Sequence, residues 1–532
     1  MSELRRGLVR ITSSYGRLGL SLVMGIISTR LILGWLGPEP FGLIIFVGSS
    51  VGLAMLIDDV LRASMIRELA AAHHADPDGA SGRFASALNA GAAIAAVGAV
   101  LTALTFLIMA ALVPIFDIPK ELHTAAYWFI LAEGIHSCVM VATAPVYNMY
   151  VVTERFVEDN LFTTVRKASY LIVAWFVQTI LGVTDPSQGL ILYGLISVAL
   201  NVFILLTATL RMMSHDKRLR PRPRAAQREA VRQFMATFGW NTTMMVAVNG
   251  YDRVGQIITN LWFGTVGNAI FGVGYQLAAY VRMVSLGVNF GSDAVAARLA
   301  SSDPAVVRDA MIQFTRTMTR LHGFSSFPAA AILACLTYPI MHLWVGDRLE
   351  HHDDVLRATI TAQILLLPVT VRAVTDCWTR ILYGAGHIKS YAPLLLTGGL
   401  VNPVVAIILL YVLPESARQY AAAISFAGIM TLFHLFLLPI AAARCLQCHY
   451  RDLILPITRP ALAALLPTPI LIWGYDRILD AVHGRPAAAL VIVTAIYGLL
   501  YMILSLIFVL EPAEKKRFTD LIARRFNRNP AA

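Results

Sequence analysis

From end to end, this chain alternates apolar runs of about twenty residues with short polar connections. A helix needs about 20 apolar residues to cross the hydrocarbon core of a bilayer. Runs of that kind predict spans at 14–36, 41–64, 85–116, 123–151, 165–183, 188–210, 234–262, 265–291, 322–345, 358–383, 391–413, 418–443, 460–479 and 487–510. In lipid a segment must satisfy its own backbone polar groups, so such runs are helices. The expected class is an all-α polytopic membrane protein of about fourteen transmembrane helices. The basic stretch 1–17 runs into the first span without a small-x-small cleavage site, which predicts a retained first helix.

Lysine and arginine sort the connections into two kinds. Of the 43 such residues, 32 lie in or beside the amino-terminal segment and every second connection after it. Only six, Lys120, Arg348, Arg357, Arg418, Arg477 and Arg485, lie in the connections between, and five fall inside spans. The asymmetry predicts an even number of helices with both termini cytoplasmic. The formal charge of +11 then has a topogenic origin and faces anionic lipid headgroups. The clusters Lys217–Arg224 and Lys515–Arg528 abut spans, so nucleic acid is not an expected partner. Charged residues make up 14% of the chain, against about a quarter in soluble domains. The five cysteines are scattered and form no disulfide framework.

The most basic connection, 211–232, contains the run Arg220 to Arg224, which reads as an extended linker. It divides the chain into an N-lobe (1–211, spans 1–6), a linker (212–233), a C-lobe (234–443, spans 7–12), spans 13–14 (444–510) and a basic tail (511–532). The lobes are faintly alike. Trp35-Leu36-Gly37 closes the first span and Phe41-Gly42 opens the next; Trp262-Phe263-Gly264 and Phe271-Gly272 stand at the corresponding places of the second lobe. Arg67-Glu-Leu-Ala with Asp76-Pro77 is likewise matched by Arg298-Leu-Ala with Asp303-Pro304. Six being even, the lobes enter the membrane in the same direction: two parallel six-helix lobes plus a terminal helix pair, a plan that places transporter sites near the repeat interface. Asp303-Pro304 suits a helix start. The residues after it predict either an interfacial helix, with Val307, Met311, Phe314, Met318 and Leu321 on one face, or a plain extension of span nine.

Chemistry is expected where charge lies inside spans: Arg30; Asp58, Asp59 and Arg62; Glu133 and His136; Asp252 and Arg253; Arg282; Arg372 and Asp376. An Arg at the bilayer centre costs about 2.5–3.5 kcal/mol on insertion scales, so five in lipid would cost on the order of 12–17 kcal/mol. They must be paired or face water. Arg62 has Asp58 and Asp59 within helical reach, and Arg372 has Asp376; the latter pair reads best as interhelical glue. Arg30 and Arg282 lack a partner within a turn. Arg30, Arg62, Arg253 and Arg282 come from the first two spans of each lobe and are the expected diphosphate-binding residues of a cationic cavity, since guanidinium binds phosphate oxygens in pairs. Asp58, Asp59, Glu133 and Asp252, with His136, are the ion-coupling candidates. Span seven carries Asn241, Asn249, Asp252 and Asn260, which predicts a water-lining helix.

Other motifs mislead. Cys445-Leu-Gln-Cys448-His449 matches a c-type haem attachment pattern, but the topology puts it on the cytoplasmic side, and no second pair completes a zinc site. Neither a metal nor another cofactor is expected. No Gly-x4-Gly-Lys-[Ser/Thr] occurs among the six lysines, so coupling to an ion gradient or membrane potential is expected in place of ATP hydrolysis.

The chain resembles the polysaccharide flippases of the multidrug/oligosaccharidyl-lipid/polysaccharide exporter superfamily. The resemblance rests on the two-lobe, fourteen-span layout, on Tyr15-Gly-Arg…Thr29-Arg30-Leu…Leu36-Gly37-Pro-Glu-Pro-Phe41-Gly42, and on Asp58…Arg62…Arg67-Glu-Leu. It implies a non-enzymatic, alternating-access exporter of undecaprenyl-diphosphate-linked O-antigen, capsule or exopolysaccharide units in a bacterial inner membrane. Arginines would engage the diphosphate of the lipid-linked oligosaccharide, and other polysaccharide-assembly proteins would be partners. It also implies that spans 13 and 14 could hold a lipid tail. The competing readings are an ion-coupled multidrug exporter of the same superfamily, whose cavity should be dominated by carboxylates, and a membrane-embedded polymerase or acyltransferase, for which no outside loop is long enough.

Overall fold

The structure, a computed structural model, describes residues 3–54, 56–76, 81–223, 226–288, 292–300, 304–349, 351–511 and 515. Its helices are α1 (Glu3–Leu36), α2 (Pro38–Ala54), α3 (Leu56–Ala75), α4 (Arg83–Ala111), α5 (His123–Tyr147), α6 (Met149–Val152), α7 (Phe156–Trp175), α8 (Pro186–His215), α9 (Arg228–Asp252), α10 (Val254–Leu286), α11 (Ser292–Ala300), α12 (Pro304–Val345), α13 (His352–Gly384), α14 (Ile388–Val412), α15 (Glu415–Arg418), α16 (Ala421–Thr431), α17 (Leu438–Leu446), α18 (Tyr450–Leu465), α19 (Thr468–Ala481) and α20 (Pro486–Phe508). Among the described residues there is no strand. Eleven segments among the described residues are both long and apolar enough to cross a membrane. Gly239–Leu286 counts once there although it holds two predicted spans, Pro38–Gly48 is a shorter apolar helix, and α7, with four charged residues, is not among them. These three account for the difference from the fourteen predicted.

Contacts gather the chain into two compact units. The first comprises Met1–Gln276, Trp344–Leu365 and Ile388–Phe433; the second comprises Leu277–Leu343, Leu366–His387 and His434–Ala532. In the first unit helices approach closely at small residues, the usual basis of association where lipid supplies no hydrophobic drive. A Cβ added at Gly250 would collide with the Gly399 carbonyl oxygen, and one at Gly399 would come within 2.6 Å of the Ala247 oxygen. Asn402 Nδ2 bonds the Gly250 carbonyl across the same crossing, and Ser425 Oγ bonds the Asn402 carbonyl. The second unit packs α18 and α20 against α12: Tyr497 Oη donates to the Ala464 carbonyl and Tyr501 Oη to that of Phe324.

The sequence repeat has a structural meaning. Gly37 and Gly264, each after a Trp-x pair, both have positive φ, +85° and +62°. A side chain is disfavoured there, and each glycine turns the chain from the first predicted span of its half into the second. The next glycines, Gly42 and Gly272, belong to one crossing of α2 with α10. A Cβ on Gly42 would overlap the Thr265 carbonyl oxygen, and one on Gly272 would lie 2.7 Å from Ile45 Cγ2. Both glycines thus serve the same crossing, from its two sides.

Spans nine, thirteen and seven take forms that hydropathy left open or missed. A single helix runs from Pro304 through the stretch with the apolar face to a kink at Leu336, so that stretch extends span nine; Asp303 lies outside the described residues. The thirteenth span is two helices, α18 and α19, parted at Leu466–Pro467. Span seven breaks at Arg253. The polar face of that span packs into protein instead of lining water: Asn241, Asn249, Gln256 and Asn260 are all buried.

The connection after α8 is pinned by charge. Asp216 accepts from the Arg218 backbone N–H at 2.9 Å and from its Nη2 at 2.7 Å, while the guanidinium lies over the Phe84 ring. The Arg218 side chain, then its backbone N–H, hold the Asp216 carboxyl below its ordinary value. A carboxyl depressed in the fold contributes stability above the ordinary carboxylate range and loses it as pH falls through the folded value. Hydrogen exchange in the turn 216–219, corrected for intrinsic rate, should therefore accelerate below about pH 4 in the wild type. In Asp216→Asn it should already be fast at neutral pH, with no such step.

Candidate functional site

In the second unit, charge concentrates where α10, α13 and the turn before α17 meet. Arg282 stands about one turn before the end of α10, and Asp376 about two turns before the end of α13. Arg282 Nε donates to Asp376 Oδ2 at 2.7 Å. Arg372, one turn earlier on α13, approaches Asp376 Oδ1 only to 3.8 Å. The side chains of Arg372 and Asp376 are 6% and 13% exposed, whereas that of Arg282 is 31% exposed. Arg380 follows Asp376 by one further turn and is exposed. One carboxylate thus has two arginines within reach of its oxygens.

Hydrogen bonds from neighbouring segments hold this cluster in place. Thr375 Oγ1 pairs with His434 Nδ1 at 3.0 Å. His434 lies in the π-helical segment Leu432–Leu437, and such segments recur at functional sites. His322 Nδ1 is 2.8 Å from the Ala373 carbonyl. A carbonyl only accepts, so this nitrogen carries the proton. Burying a carboxylate beside one cation is at best balanced by desolvation, and here a second cation stands near the same carboxylate.

The first unit holds a different arrangement. Glu133 Oε2 lies 3.4 Å from His136 Nδ1, and His136 Nε2 lies 3.0 Å from Arg166 Nη2. Guanidinium cannot accept, so Nε2 is unprotonated and Nδ1–H donates to Glu133. The imidazole is neutral, and a proton reaching Nε2 must displace Arg166. Tyr170 and Tyr193 flank the group, their rings 6.4 Å apart. Arg166 was hidden from sequence reasoning because it stands at the polar start of a predicted span and reads as a headgroup cation. Its Nε is buried and, among the described residues, has no hydrogen-bond partner.

The four predicted cavity arginines have separate surroundings. Arg30 Nη2 bonds Asp347 Oδ2 at 2.9 Å and its Nη1 the Trp344 carbonyl at 2.7 Å, partners hundreds of residues away. Arg62 is exposed on α3. Arg253 closes α9 at the joint with α10. These three belong to the first unit and Arg282 to the second. Of the coupling candidates, Glu133 is in the His136 cluster, Asp252 is half-buried at the end of α9, and the side chains of Asp58 and Asp59 lie outside the described residues. His449, from the haem-like motif, caps α18 in a reciprocal box with Asp452. Among the described residues no three His, Cys, Asp or Glu side chains are placed to hold a metal.

No family model matches the sequence, and no curated protein matches it either. Solved structures do match in fold. The lipid II flippase MurJ in an inward closed conformation aligns over 96% of this chain and 99% of its own, with TM-score 0.63 and 13% identity. A eukaryotic MATE transporter aligns over 86% of this chain and 99% of its own, with TM-score 0.60 and 12% identity. The Vibrio cholerae MATE transporter VcmN, in a mutant form, covers 83% of this chain and 98% of its own, with TM-score 0.54 and 11% identity. The chain therefore has the fold of the transporter superfamily to which MurJ and the MATE proteins belong.

Proposed function

We propose that this chain is a flippase: a secondary transporter that moves lipid-diphosphate-linked oligosaccharide units from the cytoplasmic to the periplasmic leaflet of a bacterial inner membrane by alternating access, with both termini cytoplasmic. The observation that carries the reading is the approach of two guanidinium groups, Arg282 and Arg372, to the one carboxylate of Asp376 in helices long and apolar enough to cross a membrane. A cavity built for cationic drugs needs the opposite balance, because a buried charge is tolerated only beside its complement. A diphosphate offers the paired oxygens that a guanidinium fork binds best. Near-complete coverage of a lipid II flippase at both ends supports the same class. Anionic lipids are assigned to the basic connections.

The test is reconstitution. Vesicles holding the purified protein and a fluorescent undecaprenyl-diphosphate oligosaccharide should lose inner-leaflet label to an outside quencher faster than empty vesicles. No acceleration, together with efflux of ethidium from the same vesicles, would hand the function to a multidrug exporter. That second reading draws on the MATE likeness and on the buried Glu133–His136 pair, a group suited to carry a proton. In either case Glu133→Gln should cut transport driven by an imposed pH gradient at least about tenfold, the worth of one charged hydrogen bond, while exchange without a gradient persists. Equal sensitivity of both modes would remove Glu133 from coupling.

A further inference from the structure

We propose that Asp376 is a stand-in for the substrate's phosphate: it holds Arg282 while the site is empty, competes with the arriving anion, and passes to Arg372 when Arg282 turns to the ligand. The inference rests on the reading of Arg282 as an anion-binding residue. Three observations carry it. Asp376 presents its two oxygens to two different cations, Oδ2 to Arg282 at 2.7 Å and Oδ1 toward Arg372 at 3.8 Å. The nearer cation is the exposed one and the farther is buried, at 31% and 6%. Arg372 and Asp376 are one turn apart on α13, so a side-chain rotation of about 1 Å closes their gap to contact without moving a helix.

The chemistry follows from what each state would otherwise leave unpaired. If Arg282 left Asp376 with no replacement, a buried carboxylate would stand without a hydrogen-bonded cation, a strongly unfavourable state. Arg372 removes that penalty, so Arg282 can be surrendered reversibly. If Asp376 were absent, Arg282 would bind an anion without competition and release it slowly. The carboxylate therefore trades affinity for turnover, and Arg372 sets the exchange as a positioning residue. Thr375, next to Asp376 on α13 and paired with His434 of the segment Leu432–Leu437, keeps the carboxylate's backbone fixed through the swap.

The test measures binding of inorganic pyrophosphate to the purified full-length protein in nanodiscs by calorimetry, alongside lipid-glycan movement in vesicles. Asp376→Asn should tighten pyrophosphate binding roughly ten- to hundredfold, the worth of one charged hydrogen bond, and slow turnover at saturating substrate. Arg372→Gln should weaken binding by a similar factor, since the carboxylate then keeps Arg282, and the double variant should bind like Asp376→Asn. Asp376→Glu, which retains the charge should the amide variant fail to fold, should bind no more tightly than wild type. Unchanged or weaker binding in a folded Asp376→Asn, or an Arg372→Gln effect that survives in the double variant, would overturn the proposal and leave Asp376 as an anchor only. Because pyrophosphate carries neither lipid nor sugar, the expected binding pattern without lipid-glycan movement would keep the exchange and sink the flippase reading. Lipid-glycan movement with unresponsive binding would do the reverse.

Discussion

Arg282→Ala is expected to stop transport while leaving the protein in the membrane. The side chain makes one short bond, to Asp376, and Arg372 remains beside that carboxylate, so the fold loses little. The substrate loses a fork of two charge-assisted bonds, each worth about 1.5–3 kcal/mol, so movement of the lipid-linked glycan should fall at least about a hundredfold. Lysine keeps the charge but not the paired geometry, and Arg282→Lys should lie between alanine and wild type. The measurement is the initial rate of label movement in vesicles, with melting of the solubilised protein as the control for folding. An alanine variant that keeps more than half the rate would take Arg282 out of the substrate path.

The largest effect on stability is expected at the crossing of α2 and α10. Gly42→Ala drives a methyl into the Thr265 carbonyl oxygen and to 2.6 Å from its carbon. Both are main-chain atoms, so no rotamer relieves the clash and a helix must shift. Overpacking of a well-packed site costs about 1–3 kcal/mol, occasionally more, and a main-chain obstacle places this case at the upper end. Gly264→Ala acts through the backbone itself: φ +62° with ψ −164° is a conformation open essentially only to glycine, at about 1–3 kcal/mol for anything else. Either change should lower the melting temperature and the yield of monodisperse protein. Gly428→Ala, with nothing within 4 Å of the added carbon, should do neither. A Gly42→Ala protein that melts like wild type would show the two backbones to be farther apart than described.

Much of the fold was legible because a bilayer imposes length, and length survives in a single sequence. Of the repeat read in Trp-x-Gly and Phe-Gly, the first two glycines share a positive φ and the second two a crossing. What could not be read was distance across helices. Arg282 lacks a partner within its own helix, and its partner, Asp376, is 94 residues away; Arg30 finds Asp347 across 317. Arg372 and Asp376, expected to be an ordinary i,i+4 pair, proved to be the looser half of a three-membered group. Span seven misled for a related reason. Hydropathy registers that Asn241, Asn249 and Asn260 avoid lipid, but avoidance of lipid is satisfied equally by water and by packed protein, and the structure chooses protein.

At the crossing of α2 with α10 each helix brings a glycine to the other's surface, Gly42 against the Thr265 main chain and Gly272 against Ile45. Where main chain meets main chain at a glycine no deformable side chain lies between, so a shift of either helix carries the other with it.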